Sequence, residues 1–165
     1  MESVAAKSSL DLDRDARSII GTREFAAPRE LVFSVWTDPK HLGQWWGPDG
    51  FTTTTRSIDV RVGGVWRFVM HGPDGRDYEN RITFQEIMRP ERLVYSHDDG
   101  DDEAVEPIAF HTTVIFEDIG GKTRLTMYAL FPTAAARDRV TREHGAVEGA
   151  KQHLARLAAH LTTMR

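Results

Sequence analysis

The chain has 165 residues, 40% of them hydrophobic, enough for one domain with a single sizeable core. Its 21 Lys and Arg against 25 Asp and Glu leave a net charge of -4, which offers phosphates no basic surface and argues against nucleic acid as a partner. The absence of cysteine excludes disulfides, thiolate nucleophiles and Cys-ligated zinc, and it suits a cytoplasmic protein.

Met1 to Ala16 mix Glu2, Lys7, Asp11, Asp13, Arg14 and Asp15 with small residues and lack the apolar stretch of a secretory signal. They read as a loose polar tail ahead of one domain over 17–165. No run approaches the roughly 20 apolar residues a membrane span requires, so no membrane partner is expected. Arg17 to Ala26 reads as a first strand, which Ala27-Pro28 interrupts where proline's fixed φ suits the first turn of a helix. The i,i+4 pairs Leu31/Val35 and Val32/Trp36 carry that helix to about Trp36. In Thr37-Asp38-Pro39, Asp38 is the N-cap of a second short helix ending near Trp45. From Phe51 to Phe131 strands alternate with the turns Gly63-Gly64, Gly72-Pro73-Asp74-Gly75, Arg89-Pro90-Glu91 and Gly120-Gly121, which imply consecutive antiparallel hairpins. Trp66, Phe68 and Met70, and again Phe110, Thr112, Val114 and Phe116, alternate with outward-facing neighbours, so one face of the sheet is strongly apolar. His97 to Glu106 is acidic and reads as a solvated, mobile loop; its oxygen spacing does not fit an EF-hand. After Pro132, Thr133 caps one long terminal helix in which Val140, Val147, Leu154 and Leu161 recur every seven residues beside Leu157. The order gives an α+β layer in which an antiparallel sheet grips the terminal helix.

The seven histidines include no close-spaced pair of ligands, and no metal site is expected. His153 and His160 share a helix face beside Lys151, Gln152 and Arg156 and read as solvated, while His97 and His144 read as hydrogen-bonded residues near the core. No serine lies in a nucleophile elbow, and the glycine pairs lack the following helix that would cradle phosphate. Neither catalytic residues nor a cofactor are expected. The aromatic residues are the stronger signal. Trp45 and Trp46, beside Gly47-Pro48 at a helix end, are hard to bury fully.

Several motifs in register resemble the START-like (SRPBCC, helix-grip) superfamily, and within it the proteins related to the activator of heat-shock-protein-90 ATPase. They are Arg23-Glu24-Phe25-Ala26-Ala27-Pro28 with Val32-Phe33, Trp36-Thr37-Asp38-Pro39, Trp45-Trp46-Gly47-Pro48, Gly63-Gly64, Gly72-Pro73-Asp74-Gly75, Pro90-Glu91-Arg92-Leu93 and Gly121-Lys122-Thr123, with Gly145 and Gly149 opening the terminal helix. The resemblance spans about Ile19 to Leu161 and implies about seven antiparallel strands wrapped around that helix. It also implies that Trp45 and Trp46 stand at a cavity mouth as part of a lid. Members of the family often carry methionine and tryptophan where this chain has Ala146 and Ala150, which opens space between helix and sheet. They often carry an aromatic where it has His97.

The expected function is therefore non-catalytic: a carrier or sensor of a small apolar or aromatic molecule. Its walls would be Trp66, Phe68, Met70, Phe84, Tyr95, Phe110 and Met127, with Tyr78, Tyr128, His97 and Thr112 as polar contacts if they point inward. One alternative is cyclase or aromatase chemistry in the same cavity, with His97 or Tyr95 moving protons. Another is a co-chaperone that stimulates a chaperone ATPase, discounted because the chain lacks the further chaperone-binding region of the eukaryotic activators. A homodimer is a reasonable expectation for a domain of this size.

Overall fold

The computed structural model describes residues 16–101 and 109–164, with the side chains of 143 and 144 excepted. Strand β1 (Ser18–Phe25) leads into helices α1 (Arg29–Thr37) and α2 (Pro39–Trp45). Six strands follow: β2 (Thr52–Ile58), β3 (Val65–His71), β4 (Asp77–Met88), β5 (Arg92–Asp98), β6 (Phe110–Asp118) and β7 (Thr123–Leu130). Two helices, α3 (Ala134–His144) and α4 (Ala146–Thr162), end the chain. All seven strands form one antiparallel sheet in the order β1-β7-β6-β5-β4-β3-β2. The first and last strands are therefore partners, and α1 and α2 carry the chain from one sheet edge to the other before the meander returns. This is the α+β helix-grip architecture expected from the sequence.

Local chemistry explains the elements. Pro28 precedes α1 with φ -67, and the Asp38 carboxylate accepts the Lys40 N–H at 2.9 Å to cap α2. The apolar face of the sheet packs against α1, α2 and α4 in one cluster that includes Val32, Phe33, Trp36, Trp66, Phe84, Val114, Leu125, Leu154, Leu157 and Leu161. At Gly21 on β1 an added Cβ would lie 3.2 Å from the Leu154 side chain, so glycine lets α4 settle close on the sheet edge.

Three expectations need correction. The terminal helix is two helices, because Gly145 adopts φ 60 as the C-cap of α3 and starts α4 in a new direction. Val140 consequently belongs to α3, and Val147 is exposed rather than part of the buried stripe. The acidic stretch begins inside β5, since His97 and Asp98 are its last residues; most of the remainder, from 102, lies outside the described residues, as do residues 1–15 of the expected tail.

Candidate functional site

The inner face of the sheet carries a continuous aromatic wall. Trp66 and Phe68 of β3 stack with ring centres 3.9 Å apart, and Trp46 meets them edge-on at 4.9 and 5.9 Å. Trp36 and Trp45 extend the group on the α1–α2 side, each within 6 Å of Trp46. In the other direction Phe68 touches His97, His97 touches Phe110, and Phe110 stacks on Phe131 at 4.7 Å. Register aligns the wall: Phe84 faces Tyr95, and Tyr95 faces Thr112, across β4, β5 and β6.

Uncharged polar groups are set into this wall. His97 shares a 2.8 Å hydrogen bond between Nε2 and Asn80 Oδ1, and burial holds its pKa down to about 4 despite the neighbouring Asp98 carboxylate. Asp98 itself is occupied by a bidentate pair with Arg81, both contacts at 2.9 Å. Burial pushes the Tyr95 phenol above its usual range, so it stays protonated; Thr112 and Trp36 stand against it. The Trp36 Nε1–H is buried and makes no well-formed hydrogen bond, although the Tyr95 oxygen is close enough to feel it.

From the helix side, His153 of α4 projects onto Trp46, with ring centres 4.5 Å apart. Its Nδ1 accepts the Gly47 N–H at 3.1 Å, which leaves the ring proton on Nε2. Burial, then the Arg156 charge and His97, hold its pKa down to about 3. The segment after α2 is gripped around this contact. Arg156 Nη1 donates to the carbonyls of Trp46, Gly47 and Pro48 at 3.2, 3.0 and 3.0 Å, and the Asp49 N–H donates to Gln152 Oε1. Gly47 is required there: its φ is 103, and an added Cβ would come within 2.9 Å of Met70 Cε.

The structure thus brings Trp46, Trp66, Phe68, Phe84, Tyr95, His97, Phe110 and Thr112 onto one surface. Met70 lies beneath Gly47, Met127 is half-buried against the main core, and Tyr78 stands at the β3–β4 turn against Phe51. Tyr128 alternates with Met127 and Ala129 and so takes the opposite face of β7. Trp45 and Trp46 are not the half-exposed rings of a lid, because both are at least 95% buried, at 1% and 5% exposure, under the Gly47 segment. The space beside Ala146 and Ala150 is filled: these residues pack on Ile19, Ala129 and Phe131 together with Ala136 and Val140 of α3. His153 is buried rather than solvated. A separate apolar cleft of about 330 Å³ opens at the far end of α4, between Phe25–Leu31 and Ala158–Met164.

The sequence reading missed His153, Arg156 and the pairing of His41 with His160, all of which depend on α2 lying over α4. It also missed a chain on the outer face, where Thr54 Oγ1 meets His71 Nε2 at 2.8 Å and His71 Nδ1 meets Asp77 at 2.7 Å. The order is that of a nucleophile, base and acid, but His71 and Asp77 are 38% and 63% exposed on open strands, where water competes for every contact. Among the described residues no group of three or more His, Asp or Glu could hold a metal ion, and no helix is long and apolar enough to cross a membrane.

The model of the family described as activator of Hsp90 ATPase homolog 1-like protein matches residues 26–162. A crystal structure of a Mycobacterium smegmatis protein is 28% identical with a TM-score of 0.81, covering 93% of this chain and 96% of that one. A solution structure of an Arthrobacter aurescens protein is also 28% identical, with a TM-score of 0.82 and coverage of 92% and 89%. A Silicibacter pomeroyi protein named for the same family is 26% identical, with a TM-score of 0.73 and coverage of 90% and 99%. No curated relative matches the chain.

Proposed function

Because the chain belongs to the activator of Hsp90 ATPase homolog 1-like family and its inner wall is aromatic with uncharged polar groups, we propose that it is a non-catalytic, cytoplasmic carrier or sensor of a small apolar or aromatic molecule. The observation that carries this reading is one aromatic group touched by uncharged polar side chains from both layers: Trp36 and Trp46 against His153 of α4, Trp36 against Tyr95, and Phe68 and Phe110 against His97. Apolar walls with a few fixed donors and acceptors are the composition of small-molecule sites. Two neutral imidazoles and a protonated phenol would orient a carbonyl or hydroxyl on the ligand without charging it. Entry requires the Trp46–Phe51 segment to lift from α4, so the gate is that segment rather than the two tryptophan rings. Such lifting would break the hydrogen bonds that Gln152, His153 and Arg156 make to it.

Native mass spectrometry of protein purified from its own host tests the reading by the mass it retains. A retained small molecule should be lost from His97→Phe, and amide resonances of Tyr95, His97 and Thr112 should move when the dye 8-anilinonaphthalene-1-sulfonate is added. No retained mass together with unmoved resonances would overturn the proposal. Shifts confined to Phe25–Leu31 and Ala158–Met164 would overturn the placement on the inner wall and move the ligand to the distal cleft.

A further inference from the structure

His41 of α2 and His160 in the last turn of α4 are 119 residues apart in sequence, yet their Nδ1 and Nε2 atoms face each other at 3.0 Å. The rings meet edge-on, with centres 5.2 Å apart and planes inclined by 66°. Both residues are half-buried, so the pair is packed between the helices but open to solvent on one side.

We propose that His41 Nδ1 and His160 Nε2 form a two-histidine site for a late first-row divalent cation, copper, nickel or zinc, whose remaining positions are filled by water. The distance carries the argument. Metal–nitrogen bonds of about 2.0–2.1 Å place two ligating nitrogens about 2.9 Å apart at a right angle and about 3.4 Å apart at a tetrahedral one. The observed 3.0 Å falls in that interval, so binding needs rotation of the rings and no movement of either helix. The metal takes the place of the proton now held between the rings: that proton leaves to solvent, and the ring that donated it takes up a proton on its other nitrogen, so both imidazoles ligate neutral with no net proton release. Imidazole pairs select this part of the series, whereas magnesium and calcium require oxygen ligands.

The consequence is mechanical. Helix α2 delivers Trp45 and the Trp46–Phe51 segment, which α4 already holds through Gln152, His153 and Arg156. A metal at its first turns would add a second clasp between the same two helices. This inference does not rest on the ligand reading, since it concerns only the α2–α4 contact.

The test uses full-length, tag-free protein stripped with chelator, with nickel chloride as the probe. Nickel should raise the melting temperature in a concentration-dependent way, magnesium should not, and titration calorimetry should give one nickel per chain. His41→Asn and His160→Asn should each weaken binding at least tenfold, while His71→Asn, at an exposed histidine paired with Asp77, should leave it unchanged. Copper bound to the wild-type chain provides a readout that needs no variant: its electron paramagnetic resonance spectrum should show two coordinating nitrogens. No melting shift with nickel, binding undiminished in both Asn variants, or a spectrum without nitrogen ligation would each overturn the proposal.

Discussion

Lowering the pH from 8 to 5 should destabilise the protein well before its carboxylates begin to protonate, and the reason is His153. Its folded pKa lies near 3 against an ordinary 6.5, so below pH 6.5 the unfolded chain takes up a proton that the folded one refuses. Stability is therefore complete above pH 6.5 and declines as pH falls toward 3. At pH 5 the uptake of that proton costs about 2 kcal/mol, and His97, held near 4, acts in the same direction with a comparable ceiling. Against a typical stability of roughly 5–15 kcal/mol this is large. With a urea slope of about 2 kcal/mol/M, the unfolding midpoint should fall by about 1–2 M between pH 8 and 5. Urea melts followed by tryptophan fluorescence measure it directly, because Trp36, Trp45 and Trp46 surround the His153 ring. His153→Gln keeps an acceptor for the Gly47 N–H but has no proton to take up, so its midpoint should lose roughly half of this pH dependence. A wild-type midpoint that is the same at pH 5 and pH 8, or an undiminished dependence in His153→Gln, would refute the argument.

Three substitutions on α4 give further checks. Arg156→Lys replaces a planar donor that spans three carbonyls with a point charge, so it should cost about 1–2 kcal/mol and shift tryptophan emission to the red as the Gly47 segment loosens; unchanged emission and melting would show that the clasp is idle. Gly149→Ala should stabilise by about 0.5–1 kcal/mol, since the new methyl meets only Pro48 Cβ at 3.8 Å, whereas Ala150→Trp should lower the melting temperature because Ile19, Phe131 and α3 already pack there.

The sheet was legible because its signals are local. Alternation in Trp66–Met70 and Phe110–Phe116, with glycine turns between, places each strand, and Asp38 and Pro28 mark the two short helices. The break at Gly145 was not, because Val140 and Val147 keep seven-residue spacing across it. A heptad reads as continuous until one left-handed residue resets the helix direction, and only the exposure of Val147 reveals the change. The two alanines misled for a related reason: the volume missing at Ala146 and Ala150 is supplied by α3, a helix the continuous heptad had concealed.

The polar stripe of α4 carries the larger lesson for the site. Gln152, Arg156 and His160 recur at i,i+4 with His153 beside them, a pattern that on an isolated helix faces water. Here Leu154, Leu157 and Leu161 face the sheet, while the stripe faces α2 and the segment after it, so each polar group is used on a contact distant in sequence. Amphipathicity therefore reported correctly that α4 has two faces but not that both are covered. Beyond the buried Trp46 ring, the segment after α2 is tied to α4 by hydrogen bonds that Arg156 donates and that His153 and Gln152 accept. Apolar burial would hold it nearly independently of solution conditions, whereas these bonds respond to protonation and to competing ligands. Trp46 belongs to both systems, since its ring packs on Trp66 and Phe68 of the sheet while its carbonyl accepts from Arg156 of α4.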